Sequence, residues 1–103
     1  MKLNDQTCIS TTLKVIGAKW TANILRELFD GKRRFGELQR ILNISPRTLS
    51  MRLHQLEKEG IVSKKIYPII PLKVEYSITK RGKSLGEIIA KMRDWGRNQR
   101  IYG

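Results

Sequence analysis

The side chains that could carry out catalysis in this sequence are few. The 103 residues include one histidine, His54, and one cysteine, Cys8. They form no His and Cys set with the spacing of metal ligands and no glycine-rich loop of the kind that binds phosphate. A nucleophilic pair of Cys8 and His54 would require the histidine to leave the helix face on which its spacing places it. We therefore expect no enzyme activity, no metal and no cofactor.

A different chemistry is offered by the stretch ISPRTLSMRLHQLEKEG, residues 44–60. Leu49, Leu53 and Leu56 recur at helical spacing and predict one apolar face. At about 100° per residue, the opposite face carries Arg47, Met51, His54 and Lys58. In an isolated amphipathic helix such a face is commonly only solvated, so the neighbouring elements decide whether it binds a ligand.

This polar face has the residue types that contact DNA. Arg47 lies in the first turn of the predicted helix, where helices that enter the major groove place their base contacts. Its guanidinium can donate to guanine O6 and N7, and the alternative is a phosphate contact. Met51 can pack on a thymine methyl group, and His54 is expected on the DNA backbone. The candidate DNA-binding residues are Arg34, Arg47, Thr48, Ser50, Met51, Arg52, His54, Gln55, Lys64 and Lys73.

The charge balance favours a polyanionic partner. The sequence has 21 Lys and Arg against 9 Asp and Glu, a formal net charge of +12. Nucleic acid fits this excess better than an anionic membrane surface, because no apolar run approaches the ~20 residues of a spanning helix. A single cysteine cannot form an internal disulfide, and no secretory signal precedes it, so we expect a cytoplasmic protein.

The elements that would position the polar face are short helices. Apolar spacing predicts a helix over residues 10–17 with Leu13 and Ile16 inward, and a second over KWTANILRELFDG. A third helix spans the repeat Phe35, Leu38, Ile41 and Leu42. Asn43 tolerates left-handed geometry and leaves only a tight turn before Ser45 caps the next helix, with Pro46 in its first turn and Gly60 past its end. Two helices joined in this way form a helix-turn-helix.

A basic run, Gly31–Arg34, immediately precedes the third predicted helix. Backbone amides at a helix start favour an anion, so the run is interpreted as a phosphate clamp. The alternative is an ordinary basic turn.

After Gly60 the pattern changes to alternation. In KVEYSI, apolar side chains at alternate positions share one face, and IVSKKIY is a plausible partner strand. Pro68–Pro71 would form a stiff tip between the two strands. Lys64, Lys65 and Lys73 make this ribbon basic, although alternation prevents all three from facing the same way.

A last helix is predicted after Thr79, which can cap it. Its apolar stripe is more typical of a core or an interface than of a cofactor site. The first and last helices lie outside the helix-turn-helix, so we expect them to form a homodimer. The candidate interface residues are Leu13, Ile16, Leu85, Ile88, Ile89, Met92 and Trp95.

These elements predict one α+β domain over residues 1–103, a mainly helical winged helix-turn-helix with a two-stranded β-hairpin wing and terminal dimerisation helices. The segments VIGAKWTANIL, DGKRRFGELQRIL, ISPRTLSMRLHQLEKEGIV and YPIIPLKVEYSIT, followed by GKSL and DWG, occur in an order that resembles the HxlR-type transcriptional regulators, relatives of the MarR group. The resemblance runs from Cys8 to about Trp95.

The resemblance implies a small cytoplasmic dimer that binds palindromic operator DNA. In some members of the family an N-terminal cysteine senses oxidants or electrophiles, which makes Cys8 a redox candidate. Cys8 is expected two or three residues before the first helix, whose dipole would favour the thiolate. Ile9 follows Cys8 where the family usually has proline, and Lys73 replaces an arginine common in the wing. The alternative for Cys8 is a small buried hydrophobic residue.

The same sequence features are compatible with a function of another class. Winged helices can also bind RNA or protein partners, because a fold does not fix its function. The major groove of A-form RNA is too deep and narrow for a helix to read, so duplex DNA and duplex RNA would separate the two alternatives.

Overall fold

The structure, a computed structural model, describes residues 5–17 and 19–99. Ala18 and the two ends of the predicted domain, residues 1–4 and 100–103, lie outside this description. The elements in chain order are α1 Asp5–Ile16, α2 Thr21–Phe29, β1 Arg33–Arg34, α3 Phe35–Leu42, α4 Pro46–Lys58, β2 Val62–Tyr67, β3 Lys73–Ile78 and α5 Lys80–Gln99. The expected fold class is confirmed, a mainly helical chain with a small antiparallel sheet.

The junction of α3 and α4 is the predicted helix-turn-helix. Asn43 takes the left-handed conformation at φ 51° and ψ 48° and ends α3. Ser45 caps α4, because its Oγ accepts from the Thr48 backbone N–H at 3.2 Å. Gly60 follows α4 at φ +73°, a conformation that costs glycine little. These short-range choices hold the two helices close together.

The core lies where α2, α3 and α4 meet the sheet and the start of α5. Each helix contributes the apolar face that its spacing predicts, and burial of such side chains is worth roughly 1.5–3 kcal/mol each. The buried apolar residues are Ile24, Leu25, Leu28, Leu38, Ile44, Leu49, Leu53, Leu56, Ile61, Val62, Tyr76 and Leu85.

The sheet has three strands where the sequence predicted two. Its order is β1-β3-β2, and all neighbours are antiparallel. The hairpin of β2 and β3 runs from the pair Val62 and Ile78 to the pair Tyr67 and Lys73. The unpredicted strand β1 places Arg33 opposite Tyr76. A two-residue Arg-Arg strand carries no apolar alternation, so its sequence contains no signal for pairing.

Thr79 ties α4, the hairpin and α5 together. Its hydroxyl donates to the Gly60 carbonyl at 2.6 Å and accepts from the Gly82 N–H at 3.0 Å, which confirms the predicted cap. Gly82 packs directly on the Ile61 carbonyl, where a Cβ atom would have no room. The end of α4 and the base of the hairpin are therefore fixed to the start of α5.

The first and last helices are less buried than predicted. None of the residues of α1 is buried, and Leu13, expected to point inward, is 54% exposed. Cys8 lies within α1 and not before it. In α5 the apolar stripe continues past the end of the core, because 20 residues span about 30 Å. Leu85 is buried, whereas Met92 and Trp95 are 50% and 68% exposed.

Candidate nucleic-acid interface

The outer face of α4 is solvent-exposed over its whole length. The leucine stripe is at most 2% exposed, so the opposite face is fixed toward solvent. Met51 is 55% exposed and lies between polar neighbours. The exposed candidate residues on this helix are Arg47, Ser50, Met51, His54 and Gln55. The structure thus brings five of the predicted DNA contacts onto one helix surface.

Two other candidates on α4 are half-buried. Thr48 is part of the helix cap, because its hydroxyl oxygen accepts from Ser45 Oγ at 2.9 Å. Arg52 lies at the edge of the leucine stripe, and its Nη1 donates to the side-chain oxygen of Gln55 at 3.3 Å. Its Nε is buried and has no hydrogen-bond partner among the described residues. Arg52 therefore lies beside the exposed face and not at its centre.

The start of α3 differs from a simple phosphate clamp. The backbone N–H of Arg34 donates to the carboxylate Oε1 of Glu37 at 2.8 Å. This carboxylate takes the position at the helix start at which a phosphate was expected. The Arg34 side chain remains exposed, whereas Arg33 is half-buried beside Tyr76 on β3. Of this basic run, Lys32 and Arg34 are open to solvent.

The lysines of the hairpin divide between its two faces, as strand alternation requires. Lys64 pairs with Tyr76, and Lys65 pairs with Glu75 on the other face. Lys73 Nζ lies 3.7 Å from Glu75 Oε2 and 4.6 Å from the centroid of the Tyr67 ring. Its side chain is 26% exposed. Lys73 is therefore held within the hairpin, whereas Lys64 and Lys65 are exposed.

Tyr76 lies where α4 packs against the sheet. Burial, and then the negative charge of Glu57 on α4, raise the pKa of the Tyr76 phenol. The neighbouring strand β2 packs directly against α4. The hairpin therefore starts beside the helix whose outer face is exposed.

A second exposed surface lies between α1 and α5, away from the core. Its groove has a volume of about 340 Å³ and is lined by Cys8, Ile9, Thr12, Leu13, Ile16, Ile88 and Met92. Four of the predicted interface residues line this groove. A larger groove of about 570 Å³ lies between α2 and α5 and includes Ile89. Leu85 is in the core of the protomer, so it is not available to a partner.

A family model described as an HxlR-like helix-turn-helix matches the sequence over residues 15–101, which include α3, α4 and the hairpin. The chain belongs to the HxlR family. The HTH-type transcriptional regulator YybR of Bacillus subtilis is 41% identical over 99 residues, 94% of this chain and 79% of that protein. The HxlR-type resemblance of the sequence is thereby confirmed.

Solved structures of transcriptional and redox regulators have the same architecture. A MarR-family transcriptional regulator from Enterococcus faecalis V583 superposes with a TM-score of 0.87 at 35% identity, covering 99% of this chain and 94% of that one. The redox regulator HypR in its reduced form superposes with a TM-score of 0.85 at 42% identity, covering 89% and 92%. The chain is a helix-turn-helix transcriptional regulator, and its homologues have this non-enzymatic role.

Across residues 5–17 and 19–99, the chain contains no helix with the length and apolar character needed to cross a bilayer.

One exposed feature near the interface is absent from the candidate residues. The turn between β2 and β3 is strongly apolar, and Ile70 at its tip is 101% exposed. The sequence Pro-Ile-Ile-Pro-Leu predicts a stiff hairpin tip within the 67–73 wing expected on the DNA backbone or minor groove, but its individual side chains are not among the candidate contacts. The sequence does contain a signal for this exposed apolar turn, because a turn between two strands normally has polar residues and this one has isoleucine and leucine.

Proposed function

We propose that this HxlR-family regulator acts as a homodimer on palindromic operator DNA. Each protomer would insert the helix of residues 46–58 into a major groove, while residues 67–73 contact the neighbouring backbone or minor groove. The observation that carries the proposal is the outer face of α4, where Arg47 and Met51 are exposed opposite a fully buried leucine stripe. The excess of 21 basic over 9 acidic residues supports a polyanionic partner.

The homodimer is supported by the exposed apolar surface of α1 and α5. The 12-residue helix α1 has no fully buried residue and packs on the core only through half-buried Val15 and Ile16, and helices of this length are marginal without tertiary contacts. A second protomer would cover the exposed apolar side chains of both helices. These are Ile9, Leu13, Ile88, Met92 and Trp95.

Cys8 is the candidate for control of DNA binding by oxidants or electrophiles. Its thiol is exposed and lines the groove between α1 and α5, next to the proposed dimer contact. Two Cys8 thiols, one per protomer, would join as a disulfide and pass two electrons and two protons to an oxidant such as diamide. The structural similarity to HypR, which is known in reduced and oxidised forms, supports this role.

The DNA-binding proposal is tested by selecting duplexes from random DNA with the wild-type protein and measuring affinities by fluorescence anisotropy. Arg47→Ala should cost about 1–3 kcal/mol on a selected duplex and much less on random DNA if Arg47 contacts a base. Lys58→Ala removes the same charge at the end of the helix and should act equally on both. Equal losses for Arg47→Ala on both duplexes would contradict base recognition. Preference of the wild type for duplex RNA would favour the RNA-binding alternative.

The redox proposal requires four samples, wild type and Cys8→Ser, each before and after treatment with diamide. We expect diamide to weaken DNA binding by the wild type only. A protomer-sized band that becomes dimer-sized on non-reducing gels would identify the disulfide. If all four samples bind DNA equally, Cys8 has only a packing role.

A further inference from the structure

The turn of the wing, residues 68–72, exposes more apolar surface than its connecting role requires. Ile70 is 101% exposed, and Ile69 and Leu72 are 53% and 66% exposed. On the adjoining strand, Ile66 is 55% exposed. Four exposed aliphatic side chains within seven residues of a highly charged protein indicate a binding surface.

The turn presents these side chains in a fixed way. Pro68 and Pro71 flank the two isoleucines, and each ring restricts the backbone angle φ. The Ile69 N–H donates to the Tyr67 carbonyl at 2.8 Å, which closes the start of the turn. The six residues of β2 carry the tip roughly 17 Å from the buried base of the hairpin at Val62. The tip is therefore a preformed apolar projection.

The surroundings of the tip indicate what it binds. Lys64 and Lys65 are exposed on opposite faces of β2, on the side of the apolar tip nearer to the hairpin base. The apolar tip therefore has a positive charge on each face of the hairpin. Lys65 Nζ and Lys73 Nζ both lie over the Tyr67 ring, at 4.9 Å and 4.6 Å from its centroid. Lys73 also pairs with Glu75 at 3.7 Å and is only 26% exposed, so Lys65 is the more open of the two. β2 packs against α4, so the hairpin projects from the same side of the core as the helix proposed to enter the major groove. A partner with anionic walls and an apolar interior fits this surface, and stacked base pairs between phosphate backbones provide it.

We propose that Ile70 is an apolar wedge that enters the minor groove next to the major groove occupied by α4, partly unstacks one base step and bends the duplex. This inference rests on the proposed DNA binding of the protein. The minor groove is about 6 Å wide, which admits a single branched side chain, and wedges of this kind kink DNA by about 20–90°. Lys64 and Lys65 contact the flanking phosphates.

The wedge predicts a sequence preference without base hydrogen bonds. Pyrimidine–purine steps such as TA and CA unstack most easily. Duplexes selected by the wild-type protein should be enriched in such a step at one fixed distance from each α4 half-site. Selection with Ile70→Ser should recover the half-sites without this enrichment.

The direct test compares wild type, Ile70→Ser and the control Ile70→Leu on a duplex selected by the wild type, with affinity from anisotropy and bending from end-to-end FRET. Ile70→Ser should weaken binding roughly 10- to 100-fold for each wing, since the full burial of one isoleucine is lost. The dependence of log affinity on log salt should stay unchanged, because no charge is removed. The bend should decrease, whereas Ile70→Leu should keep both bend and affinity.

The outcomes separate the wedge from the DNA-binding proposal. If the wild type binds no duplex DNA, both fail. If the wild type binds and Ile70→Ser has the same affinity and the same bend, the wedge is wrong and DNA binding stands. Sedimentation with phosphatidylglycerol vesicles tests the other anionic surface. Vesicle binding that is lost in Ile70→Ser while DNA bending is retained would assign the tip to a membrane and overturn the wedge.

Discussion

Met92→Asp is the sharpest test of the proposed homodimer. Met92 lies on α5 seven residues beyond the buried Leu85 and lines the groove between α1 and α5. It is 50% exposed in the protomer, so half of its side chain has no apolar contact until a partner covers it. An aspartate here can remain in water in the monomer, whereas the dimer would bury its charge.

The expected magnitude follows from this exposure. Covering the exposed half of a methionine is worth about 1 kcal/mol, half of the value for full burial. Burying an unpaired polar group costs about 1–3 kcal/mol more, and a charge costs at least as much. Met92→Asp should therefore make the free energy of dimerisation less favourable by about 2–4 kcal/mol per protomer, and a symmetric dimer contains the substitution twice. Since every 1.4 kcal/mol is tenfold, the dimer dissociation constant should rise by about 10³–10⁶.

Sedimentation equilibrium over about 0.1–100 µM protein measures this change, in a range that covers typical dimer affinities. Asn98→Asp is the matched control, because it adds the same charge to α5 about 120° around the helix from Met92. Met92→Leu should leave the dimer intact, since the two side chains are similar in volume. Thermal melts of dilute samples show whether each variant folds. A wild type that is monomeric at micromolar concentration, or a Met92→Asp protein as dimeric as wild type, would refute the reasoning.

Three further predictions concern stability and affinity. The raised pKa of Tyr76 means that the folded state holds the phenol proton more tightly than the unfolded state, so this residue destabilises the fold as pH rises above 10.0. Tyr76→Phe should therefore reduce the fall in melting temperature as pH rises above 10.0. A fall as steep as that of the wild type would contradict this expectation. Thr79→Ala removes the cap of α5 and should cost about 0.5–2 kcal/mol in urea unfolding, whereas Thr11→Ala in exposed α1 should cost less. If the dimer neutralises about 6–10 phosphates, DNA affinity should fall by about 10³–10⁵ between 50 and 200 mM salt, and a flat dependence would exclude such contacts.

The helix-turn-helix could be predicted from the sequence because its determinants are local. Asn43 and Ser45 each have a specific backbone or capping role, and the structure assigns them that role. The leucine stripe of α4 then fixes the face opposite to it by periodicity alone. Residues such as Arg47 could therefore be placed on an exposed surface without knowledge of the tertiary structure.

The features that sequence reasoning missed depend on contacts between distant residues. Apolar spacing on α5 treats Leu85 and Met92 alike, yet the core ends between them, and periodicity carries no information on where a core ends. Lys73 stays a predicted DNA contact, but its ion pair with Glu75 and its position over Tyr67 become evident only from the strand register. The strand β1 exists because β3 offers an edge for pairing, and Arg33 has no intrinsic strand signal.

The hydrogen bonds around Thr79 join α5, part of the proposed dimer interface, to α4 and the wing, the proposed DNA-binding elements. One hydroxyl joins the Gly60 carbonyl at the end of α4 to the Gly82 N–H in the first turn of α5, and the Thr79 N–H donates to the Ile61 carbonyl at 3.0 Å. Gly82 packs against the same carbonyl without space for a side chain, so sliding at this junction is sterically opposed. A rotation of α5 at the dimer contact would therefore carry α4 and the wing with it as one body. In a symmetric dimer such a rotation changes the distance between the two α4 helices, which must match half-sites about one helical turn apart. On the proposed function, a modification of Cys8, which lines the groove beside α5, would weaken DNA binding by shifting that helix.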